Sequence, residues 1–326
     1  MATIQEATRP PHRLDDVPGW FPVLDQLLFE WFLNRQEAGG THGDLLEVGV
    51  YMGKSAIFIG RHQQPGEKYT VCDLFEGDAP DDANRAESTK SYSALTRRVF
   101  EDNYRSFHDE LPRVLQGPSS LVPDTVAARS CRFVHIDASH LYEHVHDDIG
   151  AAHDLLLPDG IVVLDDFRSE HTPGVSIAAW EAVLNRGLHP ICLSTQKLYG
   201  TWGDPEPVQE ALLAMARERS DCHLSVQEAA GHRIVRLKSK GMSGPAFPPS
   251  KHAVAAEASV PAPAAVPAPA PEPEPDPAPA ARPARPSPRR GSRVRRVAVD
   301  LLPPVVTRAI RKARAARSRP PAQPIP

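Results

Sequence analysis

The stretch "DLLEVGVYMGKSA" (residues 44–56) decides the fold. Leu45, Leu46 and Val48 make an apolar run, Gly49 and Gly53 break it, and "GKSAIFIGRHQ" then reads as a helix. A buried strand, a glycine turn and a helix are the opening unit of a parallel α/β sheet. Working outward, "KYTVCDLF", "CRFVHID" and "PDGIVVLDDF" read as further buried strands. Helices are predicted over the region "GWFPVLDQLLFEWFLNRQEAG", over 92–107, 140–156 and 175–185, and in "PVQEALLAMARER". On 140–156, Leu141, Val145, Ile149, Ala152 and Leu156 share one face, a core stripe. "HPICLSTQKLYGTW" reads as strand, turn, strand, and "HLSVQEAAGHRIVRLKS" as a closing hairpin. The expected fold is a Rossmann-like, mostly parallel sheet with helices on both faces, an antiparallel C-terminal strand pair and a disordered Pro/Ala-rich tail.

Composition divides the chain. Of 35 prolines, 20 lie after residue 245, and the net charge is −13 before that point and +9 after it. Three segments are expected: a folded domain over 1–245, a Pro/Ala-rich disordered linker over 246–288, and a basic amphipathic segment over 289–326. In the last, Val305, Val306, Ala309, Ile310 and Ala313 recur at helical spacing among Arg308, Arg311, Lys312, Arg314 and Arg317. Peripheral contact with anionic membrane is one reading of it, and a solvated extension the other. The acidic body argues against a specific nucleic-acid surface. Without an apolar leader, a membrane-spanning run or a C-x-x-C pair, the expected location is the cytoplasm, or the inner face of the membrane if the tail docks there. Cys72, Cys131, Cys192 and Cys222 are expected as reduced thiols.

The glycine turn is G-x-x-x-G with Glu47 two residues ahead of it, and lacks the G-x-G-x-x-G of dinucleotide enzymes. Glycines there let a ligand approach the backbone at the strand's carboxyl end, and the acid favours a cationic ligand. Asp73 ends the second strand, 24 residues past Gly49, about where an acid for a ribose diol is expected. This E-x-G-x-x-x-G-x-S pattern with a strand-two acid resembles class I S-adenosylmethionine-dependent methyltransferases. The resemblance implies that Glu47, Gly49 and Gly53 line the methionine end of S-adenosylmethionine, with Ser55 at the helix start. It further implies Asp73 on the ribose and Ser119, in "LQGPSS", near the adenine.

Asp137, Asp165 and Asp166 end two apolar strands on the same sheet edge. Crowded carboxylates call for a cation, and Mg²⁺ suits all-oxygen ligands. "IDASHLYEHVHDD…LLLPDGIVVLDDF" is similar to the "IDGDHSYE…LLKPGGIIVFDDY" of metal-dependent O-methyltransferases of the macrocin and aminocoumarin kind. That implies Asp137, Asp165 and Asp166 as metal ligands and Mg²⁺-assisted methyl transfer to a hydroxyl of a sugar or small aromatic acceptor. Ser139 stands where the family has its second acid, so His140, next to the proposed metal, is the expected base beside Asp137. His140 and His144 could alternatively pair on zinc, His135 reads as a hydrogen-bonded core residue, and Asp147 and Asp148 read as solvated helix charge. The rivals are a hydroxylase on the same fold, a dinucleotide oxidoreductase and a non-catalytic binding module.

Overall fold

β4 (Cys131–Ile136) is buried at all six residues, Arg132 and His135 included, so both faces of the sheet are covered there. The computed structural model describes residues 10–79, 82, 85 and 95–258. The linker from 259, the basic segment 289–326 and Tyr92 lie outside the described residues. All described residues fall in one of the two units into which the chain divides, Met1–Ala264.

The strands are β1 (Asp44–Val48), β2 (Tyr69–Asp73), β3 (Arg113–Gln116), β4, β5 (Leu156–Leu164), β6 (His189–Leu193), β7 (Leu198–Thr201), β8 (Cys222–Ala229) and β9 (His232–Ser239). They form one sheet in the order β3-β2-β1-β4-β5-β7-β6-β9-β8. The first five run parallel. β7 lies antiparallel between β5 and β6, and β8 pairs antiparallel with β9. The described helices are α1 (Val23–Ala38), α2 (Lys54–Gly60), α3 (Arg97–Arg105), α4 (Val122–Thr125), α5 (Tyr142–Leu155), α6 (Pro173–Asn185), α7 (Glu206–Glu218) and α8 (Lys251–Ala258).

Alternation along each strand sorts the core into two layers. Leu45, Phe133, Ile161 and Val163 pack with Phe29 of α1, Phe58 of α2, Phe100 of α3 and Leu212 of α7. Leu46, Val134, Val162 and Leu164 pack with Val145 and Ile149 of α5 and Ala178 and Ala182 of α6. The mostly parallel sheet covered on both faces is therefore the predicted one. Cys72, Cys131 and Cys192 are buried thiols, and none of the four cysteines is in a disulfide. No helix among the described residues is long and apolar enough to cross a membrane.

Residues 246–258, within the expected linker, are described. Phe247 stacks on Phe58 with ring centroids 5.5 Å apart, Ser250 is fully buried, and its N–H donates to the His12 carbonyl at 2.9 Å. α8 follows directly.

At the opposite end of β4 a buried clamp closes the sheet. Arg132 is fully buried and forks onto Glu67, Nε to Oε1 at 2.8 Å and Nη2 to Oε2 at 3.0 Å, with Nη1 donating to Gln36 Oε1 at 3.0 Å. Burial raises the Glu67 pKa, but the Arg132 bonds and the Gln64 and Gly43 backbone donors outweigh it and hold the carboxyl below its usual range.

Candidate active site

Strand order reverses between β1 and β4, and a cleft opens there at the strands' carboxyl ends. The turn after β1 fits this place closely. Gly49 has φ +81°, and a Cβ on it would collide with the Asp137 carbonyl at the end of β4. Asp73 grips the same turn from β2. Its Oδ2 accepts the Val50 and Tyr51 N–H groups at 2.8 and 3.0 Å, and Oδ1 accepts the Phe75 N–H at 2.8 Å. Burial raises the Asp73 pKa against these three donors. One lone-pair site, on Oδ1, is left to accept a hydroxyl.

The cleft is a cavity of about 1200 Å³. Gly49, Ser55, Asp73 and Ser119 line it, and so do Asp137, His140, Asp165 and Asp166. Two residues expected on the methionine end are not among the lining groups. Glu47 is fully buried one residue inside β1 and faces the α1 layer. There its Oε2 accepts the Tyr69 hydroxyl at 2.7 Å, and Oε1 meets His135 Nδ1 at 2.9 Å. Gly53, at φ +96°, is the N-cap of α2, and a Cβ there would sit 3.1 Å from the Phe100 ring. It is a packing and turn glycine.

Behind the cleft lies a buried charged layer. His135 continues from Glu47, its Nε2 standing 3.5 Å from Lys197 Nζ and 3.7 Å from Asp165 Oδ2. Lys197, only 1% exposed, is ion-paired with Asp165. Burial pushes the Asp137 carboxyl up to about 6, opposed by the nearby Lys197 and His135 charges. Burial also lowers the Lys197 pKa, opposed by Asp137, Asp25 and Glu47. The metal-competent donors grouped among the described residues are His135, Asp137 and Asp165. The expected set was Asp137, Asp165 and Asp166.

Asp166 is turned elsewhere. At φ +51°, its Oδ1 accepts the Ser169 hydroxyl at 2.6 Å and its Oδ2 lies 3.1 Å from His140 Nε2. Burial raises the Asp166 pKa, but the bonds from His140 and Ser169 outweigh it and keep the carboxyl low. An Nε2–H donated to Asp166 fixes the tautomer whose Nδ1 carries the lone pair. His144 Nδ1 meets Ser139 Oγ at 3.0 Å, so His140 and His144 engage different partners instead of one soft-metal pair.

Sequence reasoning missed two residues of this region. Asp148 is buried, lines the cavity, and has its carboxyl pushed up to about 6 by burial, opposed by a Ser119 hydrogen bond. It is not the solvated charge expected. The signal was present, because on a helical wheel Asp148 falls at the edge of the Val145–Ile149–Ala152 stripe. Lys197 was missed for want of a local signal, since strand pairing alone brings it to Asp165.

Residues 46–167 match a family model described as a methyltransferase domain. No curated protein matches the sequence at a significant level. Among solved structures, the O-methyltransferase NovP is 20% identical over 55% of this chain and 79% of its own, with TM-score 0.47. CalS11, a TDP-rhamnose 3'-O-methyltransferase, is 22% identical over 56% of this chain and 80% of its own, with TM-score 0.37. The MycE methyltransferase, solved with Mg, SAH and mycinamycin VI, is 16% identical over 61% and 56%, with TM-score 0.37. Likeness at that level says nothing about the acceptor. The family match takes in Gly49, Asp73, Asp137, His140, Asp165 and Asp166 of the cleft, and over residues 46–167 the chain is similar to a methyltransferase domain.

Proposed function

We propose that this chain moves the methyl group of S-adenosylmethionine onto a hydroxyl of a sugar or small aromatic natural product. The observation that carries the reading is a single cavity lined both by the Gly49 turn with Asp73 and by the His140–Asp166 pair. The cofactor fits the first part, because Asp73 lines the cavity beside the Gly49 turn and retains acceptor capacity. When bound, S-adenosylmethionine supplies an electrophilic methyl on a sulfonium. The chain's residues do the rest. The acceptor oxygen bonds to the methyl carbon as the carbon–sulfur bond breaks, and the hydroxyl proton passes to His140, oriented by Asp166. Trp20, 67% exposed and 5.5 Å from the Tyr51 ring, lines the same cavity with Tyr51 and favours a ring-bearing acceptor.

The expected Mg²⁺ has no part in these steps, because its expected ligands are otherwise engaged. Asp166 is held by His140 and Ser169, and Asp165 carries an ammonium. For 289–326, charge opposite in sign to that of the acidic body favours peripheral docking to anionic lipid.

The test incubates the full chain with S-adenosylmethionine and a panel of sugars and phenols, reading product mass. A gain of one CH2 is expected. A gain of one oxygen would assign a hydroxylase instead. Absence of any rise in Tm with S-adenosylmethionine would leave only a binding module.

A further inference from the structure

We infer that the cation of this active site is built into the fold: the Lys197 ammonium stands where a divalent metal would otherwise compensate Asp137 and Asp165. The proposal rests on the Lys197–Asp165 ion pair beneath the cavity and refines the methyltransferase reading given above.

The register makes this placement unavoidable. β7 runs antiparallel to β5 with Leu198 opposite Leu164, so the residues one step beyond, Lys197 and Asp165, also face each other. Lys197 is pinned by its own turn, where its N–H donates to Ser194 Oγ at 2.9 Å and its carbonyl accepts the Ser194 N–H at 2.9 Å. Ser194 is fully buried, and the lysine stem is enclosed with it. The ammonium contacts Asp165 and lies 3.5 Å from His135 Nε2, among the same groups whose ligating atoms cluster within 4.8 Å.

Carboxylates crowded at a buried strand edge need a positive charge nearby. Asp137, Asp165, Glu47 and Asp25 all approach this point, and Lys197 is the side chain their charges act on. A divalent ion needs the same Asp165 and Asp137 oxygens and would meet a like charge already in contact with one of them. Asp166, the third expected ligand, is committed to His140 and Ser169. Lys197 is too deeply buried to touch an acceptor. It is a positioning residue, which compensates the charge of the Asp165 and Asp137 carboxylates and holds Asp165 in place at the cavity wall.

The experiment uses the full chain and Mn²⁺ as the probe, followed by electron paramagnetic resonance and thermal melting, so no acceptor is needed. Wild type is expected to bind no Mn²⁺ and keep its Tm on adding it. Lys197→Gln should gain one Mn²⁺, about tenfold or more tighter than any wild-type binding, with a rise in Tm. Lys197→Gln/Asp165→Asn should lose that gain. Lys197→Arg, which keeps a cation, should resemble wild type. Stoichiometric Mn²⁺ binding by wild type overturns the proposal even if Lys197→Gln fails to fold. Failure of a folded Lys197→Gln to bind overturns it too. A Tm rise with S-adenosylmethionine is read in parallel. Its absence counts against the methyltransferase reading and leaves the Mn²⁺ result on Lys197 unaffected.

Discussion

A histidine can serve as base only if its ring is held in one tautomer, and here a carboxylate holds it. His140→Ala should lower kcat by about 10²- to 10⁴-fold while the S-adenosylmethionine Kd stays within error, measured by turnover and calorimetry. Asp166→Asn should fall in the same direction, since it removes the charge that orients the ring. A second residue gives a pH prediction. Asp148 titrates at about 6 in the folded chain against 3.8 for the free side chain. The folded state therefore holds this proton more tightly than the unfolded state does. Its burial costs nothing below the unfolded pKa, grows as pH rises between the two values, and is complete above 6. Asp148→Asn should stabilise the protein at pH 7 by about 2–3 kcal/mol, with the gain vanishing near pH 4, in paired denaturant titrations.

Strands are the most legible elements because burial on both faces leaves a mostly apolar trace, as in Leu45, Leu46 and Val48 of β1 and Ile161–Leu164 of β5. β3 left none. It is one of the two edge strands, and its four residues are only half-buried or exposed. α8 is not legible because "KHAVAAEA" continues the alanine-rich composition of the segment after it. What fixes it is tertiary: Phe247 on Phe58, and Lys251 Nζ donating to the His108 carbonyl at 2.6 Å. In the site, residues at strand tips were readable because position along a parallel strand decides which edge they occupy. Which way a side chain turns is not readable, so Glu47 reads as a cofactor residue although it faces the core, and Lys197 carries no signal at all. Partners distant in sequence also define the Arg132–Glu67 clamp. Arg132→Ala should cost about 3–5 kcal/mol, because it strands a buried carboxylate, and a larger loss at pH 7 than at pH 4 would identify charge as the cause. The check is urea denaturation at both pH values.

At the scale of the whole molecule, charge is divided between an acidic body and a basic C-terminal region. If 289–326 docks on anionic lipid, the intact chain should co-sediment with phosphatidylserine vesicles at low salt, and a chain ending at Ala264 should not. Equal recovery of the two would retire the idea. The sheet order carries a consequence for synthesis. Glu47 is sealed in the core by His135, 88 residues downstream, and β1 borders β4 inside the sheet. While a ribosome has delivered only β1, α2 and β2, that carboxylate lacks its imidazole and one side of β1 lacks its neighbour. The nascent N-terminal half therefore has no finished state to reach, and it stays open to chaperones and proteases until residue 135 clears the exit tunnel.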